Sequence, residues 1–392
     1  MTTMGRASPV ARFWAVIIDN SLLLIGGTAI GLAWANVDGQ SYTRTSSALY
    51  FAVNDVGMVF FFALAMKEIV EAMLPGGALE SPREAAVPIL AALGGVVAPA
   101  GLYVLQCVVL GRPDLLRGWA VPCATDIAFS YLIARFIFPR QHPGLPFLLL
   151  LAIVDDAIGL ILLVMFFPAA PLSLGNFFAL MIPAIAAAAW LRRRGTISFW
   201  PYLLIGGGLS WAAMFFGGLT PTLAMVPILP FMPHAERDLG LFDPREGDQP
   251  DTMNRFERAW RVPVQVVLLL FGLVNAGVAF SSVGHGTWIV FLSLLGGKPL
   301  GIVGATFLCV RFGLRAPGGL TYRDATVLSL AAAIGFTVAL FFATAAFPQG
   351  PLLDQVKMGA LMSFLAAPIA IGVGRFAGLR PNEPNGTRER TL

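Results

Sequence analysis

The chain has 392 residues, of which 57% are hydrophobic and 12% charged, with a formal charge of +4 at pH 7. A soluble globular domain carries roughly 45–50% apolar and about 25% charged residues, and so large an apolar excess does not fit inside one water-facing core. Disorder is excluded on the same grounds, and the small, scattered charge does not point to nucleic acid, so the solvent for most of this chain is lipid.

Arg6 and Arg12 precede an apolar run that ends in Ala33-Trp34-Ala35, a triplet resembling a signal-peptide cleavage site. The run is longer than the ~7–15 residues of a signal core, and it reads as a retained first span. At about 20 apolar residues per crossing, the chain yields about twelve helical candidates. They lie near 14–36, 51–72, 86–109, 119–138, 145–167, 174–191, 198–215, 217–233, 260–281, 286–310, 324–347 and 353–378. Such long continuous runs do not suit a transmembrane barrel. The expected fold class is therefore an all-α polytopic membrane protein, with one transmembrane domain over 1–380.

Between the first two spans, Asp38-Gly39 followed by Ser41, Tyr42, Thr43 and Thr45 reads as a small external hairpin. The charged stretch 234–258 reads as a cytoplasmic linker with at most a short helix, and 381–392 as a polar cytoplasmic tail. With the N-terminus inside, all but five of the 26 Lys and Arg residues fall on the cytoplasmic side; Arg44, Arg112 and Arg117 lie outside, and Lys298 and Lys357 within spans. This asymmetry places both termini in the cytoplasm. Cys107, Cys123 and Cys309 all sit in apolar stretches, which argues against a disulfide framework or a zinc site.

A charge at mid-membrane costs about 2.5–3.5 kcal/mol on insertion scales, so Asp126, Asp155, Asp156 and Lys298 stand out. Pro122 removes a backbone donor just before Ala124, Thr125 and Asp126, which predicts a broken fourth span. Asp155 and Asp156 are neighbours on one helix and point about 100° apart, so one can hold an ion while the other meets a counter-charge. Two such carboxylates titrate as a coupled unit, which suits exchange of a proton for a cation. Lys298, in Gly296-Gly297-Lys298-Pro299-Leu300-Gly301, is expected to pair with Asp155, Asp156 or helix-end carbonyls. Gly335, Phe336 and Thr337 offer a second break, in the eleventh span.

The two breaks are seven spans apart, an odd number, so three-span units (three to five, ten to twelve) are expected in inverted orientation around a core bundle. If the broken helices cross, like ends face one another, with Asp126 compensating the N-termini and Lys298 the C-termini.

At these residues the chain resembles the bacterial NhaA sodium/proton antiporters. The likeness rests on Ala-Thr-Asp-Ile-Ala-Phe at 124–129, Asp-Asp at 155–156, Gly-Lys-Pro-Leu-Gly at 297–301 and Gly-Phe-Thr at 335–337. It takes in Asn54-Asp55, Asn275-Ala276-Gly277-Val278 and Lys357-Met358-Gly359, in the same order. The family is itself a standard example of inverted repeats with broken helices. The resemblance implies electrogenic export of Na+ or Li+ against H+ across the inner membrane by alternating access, with no cofactor and activation as cytoplasmic pH rises. It implies that Na+ and H+ compete for Asp156 and Asp155, that Lys298 joins Asp155 in one state, and that Thr125 and Asp126 line the crossing. It further implies membrane lipid as surroundings and a homodimer built partly on the external 37–49 segment.

Departures fall on the pH response. The usual cytoplasmic end of span two is here Ala65-Met66-Lys67-Glu68-Ile69-Val70-Glu71-Ala72, leaving Glu68 and Glu71 as candidates. Thr220 stands where well-studied members have His, and Asp19-Asn20 where small residues are usual. An altered pH profile is expected. The competing readings are a cation-coupled transporter of a small organic substrate, an intramembrane aspartyl protease and a non-transporting sensor. The protease would need its carboxylates on different helices; retention of Asp155, Asp156 and Lys298 argues against the sensor.

Overall fold

The computed structural model describes residues 22–139, 141–234, 251–314 and 317–379, and within them the chain is helical with no strand. That is the expected answer to lipid, where each backbone N–H and C=O must find a partner within the protein. Among the described residues, seven helices are long and apolar enough to cross a membrane: Gly39–Ala72, Ala85–Val109, Gly144–Phe166, Leu174–Arg193, Phe199–Gly217, His285–Arg311 and Pro351–Phe376. Tyr322–Ala332 and Phe336–Ala346, a pair bent by 51° at the break between them, make an eighth if the pair is one span. The chain is thus a polytopic helical membrane protein. Arg6, Arg12, Asp19-Asn20, most of the expected linker and the 381–392 tail lie outside the described residues.

Three local expectations are corrected. The 37–49 segment is not a hairpin, because Asp38 accepts the Ser41 N–H at 3.0 Å and caps a helix over Gly39–Tyr50. Tyr42 anchors that helix: its hydroxyl donates to the Val274 carbonyl at 2.8 Å and accepts the Gly277 N–H at 3.0 Å. Strand-tolerant residues have only weak intrinsic preferences, and a capped, anchored helix outweighs them. The expected span at 217–233 is a chain of turns with short 3-10 pieces at Pro221–Leu223 and Leu229–Phe231. Pro221, Pro227, Pro230 and Pro233 remove amide donors too often for an α-helix. Finally, the described end of the expected linker belongs to a helix, Thr252–Asn275, capped by Asp251 through the Asn254 N–H at 2.7 Å.

The chain divides into two compact units, Met1–Glu80 with Leu160–Ser282, and Ser81–Gly159 with Val283–Leu392. In the first, Leu22–Val37 packs on Thr252–Asn275 through Gly27, Gly31 and Gly272, where a Cβ at Gly272 would meet the Leu24 carbonyl at 2.7 Å. Such small-residue faces let backbones approach where no hydrophobic force pulls helices together. Asn54 and Asn275 exchange amide hydrogen bonds of 3.1 and 2.8 Å in the same unit. Lys67 bridges Glu71 and Glu257, both at 2.6 Å, tying Met58–Ala72 to Thr252–Asn275.

In the second unit Pro82–Val109 lies against Lys298–Arg311. Gly94 and Gly301 meet backbone to backbone there, and a Cβ on either would collide with the other's carbonyl. Gly301→Val is expected to destabilise the protein by about 1–3 kcal/mol, the usual range for overpacking. Gly304→Ala, at a position with open space around it, is expected to be neutral or slightly stabilising. Thermal unfolding of the purified variants in detergent checks the contrast; equal midpoints for Gly301→Val and wild type would contradict it.

Candidate functional site

The intramembrane charges singled out above all fall in the second unit. Approaching from Trp119, the chain makes one 3-10 turn at Val121–Cys123, with Pro122 in its first positions. It then runs extended through Ala124 and Asp126 and re-enters α-helix at Ile127–Ile137. Opposite it, the Tyr322–Ala332 helix stops, Ala333 to Gly335 bridge a break, and Phe336–Ala346 begins. A Cβ at Gly335 would stand 2.6 Å from the Ala124 carbonyl oxygen, so only glycine permits this approach.

Each interrupted helix leaves orphan donors at one end and orphan acceptors at the other. The Asp126 N–H donates to the Ile334 carbonyl at 2.7 Å, joining the two breaks directly. The Asp126 carboxylate accepts the Phe129 N–H of its own helix at 3.4 Å. It also accepts the Thr337 N–H at 3.2 Å and the Thr337 hydroxyl. One carboxylate therefore serves the N-termini of both helices that start at the breaks, where the helix dipoles favour negative charge. At the acceptor end of Tyr322–Ala332, Thr125 donates to the Ala332 carbonyl at 3.1 Å and Ser130 to the Ala331 carbonyl at 2.9 Å.

Lys298 lies wholly buried. Its Nζ is 2.7 Å from Asp155 Oδ2 and donates to the Cys123 carbonyl at 2.5 Å, at the end of the 3-10 turn. Of the partners open to it in sequence, it takes one carboxylate and one helix-end carbonyl. The other carboxylate oxygen, Asp155 Oδ1, is buried without a hydrogen-bond partner among the described residues. Thr125 faces that carboxylate with both its hydroxyl and its N–H, while the hydroxyl proton is directed to the Ala332 carbonyl. Asp156, the next residue on the Gly144–Phe166 helix, is half-buried. Phe336 is buried and meets the Phe364 ring at 4.7 Å.

Chemically, this is a buried cluster with one neutralised carboxylate, a carboxylate oxygen with lone pairs to spare and a second carboxylate a residue away. Hard oxygens are the ligands that alkali and alkaline-earth cations take. The proposed pH-response pair Glu68 and Glu71 belongs to the other unit, where Glu71 is held by Lys67. Thr220, also there, donates to the Phe167 carbonyl at 3.2 Å. The sequence leaves Ser130 and Glu257 unmarked, and it offers Lys298 a helix-end carbonyl without indicating that it is that of Cys123. Ser130 carried a signal, lying one helical turn after Asp126 on the same face of an apolar helix. A backbone carbonyl carries none, and Glu257 was hidden in a stretch that looked like linker.

Removing one member of a buried ion pair leaves an uncompensated charge and costs about 3–5 kcal/mol, whereas replacing both by apolar groups is often near neutral. Lys298→Met alone is therefore expected to lower the unfolding midpoint strongly, and Lys298→Met combined with Asp155→Leu to recover most of the loss. Additive losses in the pair would show that the two side chains do not depend on one another.

A family model described as Na+/H+ antiporter 1 matches residues 11–373. The chain is 42% identical over 381 residues to the Na(+)/H(+) antiporter NhaA 1 of Pelobacter propionicus, covering 94% of this chain and 99% of that protein. It is 42% identical over 373 residues to the Na(+)/H(+) antiporter NhaA of Desulfitobacterium hafniense strain DSM 10664 / DCB-2, covering 92% and 95% respectively. A likeness in fold extends to the solved structure of the sodium proton antiporter MjNhaP1 from Methanocaldococcus jannaschii at pH 8. There the TM-score is 0.55 at 14% identity, over 94% of this chain and 95% of that one.

Proposed function

The chain belongs to the Na+/H+ antiporter 1 family, transporters that need no cofactor, and from that premise we propose that it exports Na+ in exchange for H+ through Asp155 and Asp156. The observation that carries the site assignment is the buried Lys298–Asp155 pair, whose carboxylate faces Thr125 and adjoins Asp156 on the same helix. With the carboxylates deprotonated from the cytoplasmic side, Na+ binds through Asp156, Asp155 and the Thr125 hydroxyl or freed carbonyls at the crossing. Its charge competes with the Lys298 ammonium for Asp155. Neutralisation of the carboxylates permits alternating access, and protons from outside displace the ion. The coupled Asp155 and Asp156 carboxylates give up more than one proton per cation, so the exchange moves net charge. Li+, equally hard and smaller, fits the same donors.

The finer architecture belongs to the same reading. About twelve crossings follow if Leu22–Val37, Thr252–Asn275, the 119–138 segment and the turns of 219–233 each traverse the membrane. Spans three to five and ten to twelve would form inverted repeats around the broken helices, a core bundle within one transmembrane domain; the compact unit of Ser81–Gly159 and Val283–Leu392 supports this. The Lys and Arg asymmetry supports an inner-membrane orientation with both termini cytoplasmic, in contact with lipid. A homodimer would use the external 37–49 segment, as a helix. The clamp of Lys67 on Glu71 and Glu257, with Thr220 in place of His, supports a pH profile unlike the family's steep alkaline activation.

Acid-loaded vesicles should show dissipation of ΔpH on addition of NaCl or LiCl but not KCl, and Asp156→Asn should abolish it. Wild-type exchange by Asp156→Asn would contradict the assignment. The same assay between pH 6 and 9 tests the pH response, and steep alkaline activation would contradict the altered profile.

A further inference from the structure

We propose that Gln106 and Ser293 are positioning residues for Lys298, holding the π turn that aims its ammonium at Asp155 and the Cys123 carbonyl. This inference rests on the antiport reading of the Lys298–Asp155 pair. The crossing helix His285–Arg311 is not a regular α-helix throughout. Its first part, His285–Leu292, passes through a π turn over Ser293–Gly297 before Lys298–Arg311 resumes α geometry. Lys298 is the first residue after that turn. One extra residue in a turn rotates everything after it by about 100°, so the π turn sets the direction in which the Lys298 side chain leaves the helix.

Two kinds of contact hold the segment. Close apolar packing fixes the distance to the neighbouring helix, since a Cβ at Gly297 would meet Pro99 Cα at 2.5 Å and one at Gly95 would lie 3.8 Å from the Lys298 Cδ. Glycine-on-backbone packing of this kind is tight but does not by itself choose between α and π winding. A polar contact sits on the turn itself. Gln106, reaching across from Pro82–Val109, donates through Nε2 to Ser293 Oγ at 2.8 Å. The same nitrogen lies 3.4 Å from the Ile289 carbonyl, at the helix turn that leads into the π segment, and 3.2 Å from its own Leu102 carbonyl. Ser293 is wholly buried, so in its absence of water the amide–hydroxyl bond is costly to break.

Without this bond the segment is free to relax towards α winding, which swings the ammonium away from Asp155. The carboxylate then offers itself to Na+ with a weaker internal competitor. Na+ is held at lower concentration and released more slowly. Asp155 and the Cys123 carbonyl meet Lys298 from the facing elements, with Asp156 and Asp126 on those same elements.

The test uses the full-length protein in proteoliposomes, with Na+-driven proton movement followed at one fixed pH. Ser293→Ala and Gln106→Met are each expected to lower the half-saturating Na+ concentration by about threefold to tenfold, the fold-change of one net hydrogen bond. The maximal rate per folded molecule should fall as well. Ser293→Cys, nearly isosteric with a weaker acceptor, should fall between Ser293→Ala and wild type. An unchanged or raised half-saturation overturns the proposal, including the case where the maximal rate falls only with the folded fraction. Ser293→Ala removes a single oxygen and decides the matter should Gln106→Met not fold. Absence of Na+-driven proton movement in the wild type would instead contradict the antiport reading.

Discussion

A lysine and an aspartate with almost no access to solvent must neutralise one another at close range or not exist as charges at all. Lys298 and Asp155 meet at 2.7 Å, and the ammonium's next partner is the Cys123 carbonyl. Taking the two ions from water costs several kcal/mol each even after relaxation, and their attraction offsets this only with good geometry and further hydrogen bonds. The carbonyl is available to Lys298 because the helix is broken there. Pro122 and the extended residues behind it end the 3-10 turn and leave its acceptors without the next turn's amides. The break and the ion pair thus depend on one another.

The same accounting runs through the rest of the crossing. A break that exposes carbonyls also exposes amides, and Asp126 takes those of both helices that begin there. The acceptor end of Tyr322–Ala332 receives two neutral hydroxyls, from Thr125 and Ser130, where the Val121–Cys123 turn receives a full positive charge. The two breaks are therefore electrostatically unequal. In the proposed exchange, a cation arriving at Asp155 would perturb the Lys298 side first, while the hydroxyl-capped side would keep its bonds. Glycines at 94, 297, 301 and 335 allow backbone approaches that any Cβ would prevent. Coupling by competition needs no separate gate in this scheme, because the charge of one ligand is what the other must displace.

Much of this architecture is visible in sequence because lipid penalises polar groups so heavily. A charge in an apolar run is expensive, so Asp126, Asp155, Asp156 and Lys298 announce themselves, as does a proline ahead of Thr125. Long apolar runs likewise mark the spans that the structure forms without interruption. What stays hidden is whatever depends on backbone atoms or distant anchors. The Cys123 carbonyl leaves no trace in a side-chain alphabet. The 37–49 segment reads as a hairpin from local preference, and becomes a helix through the Asp38 cap and the Tyr42 contacts more than 200 residues away. The stretch at 217–233 is apolar enough to suggest a helix, and its four prolines decide otherwise. Hydrophobicity reports the solvent of a segment more faithfully than it reports the segment's conformation.

The claim that Na+ and H+ contend for one carboxylate site is tested most directly by the pH dependence of apparent Na+ affinity. Purified protein in proteoliposomes on a solid-supported membrane gives the half-saturating Na+ concentration from transient currents at each pH. Competition with more than one proton predicts that this concentration rises by at least about tenfold, and towards a hundredfold, for each unit of acidification on the acid limb. The maximal current at saturating Na+ would stay nearly constant there. A half-saturation independent of pH, with activity lost only through the maximal current, would mean that protons act somewhere other than at the ion site.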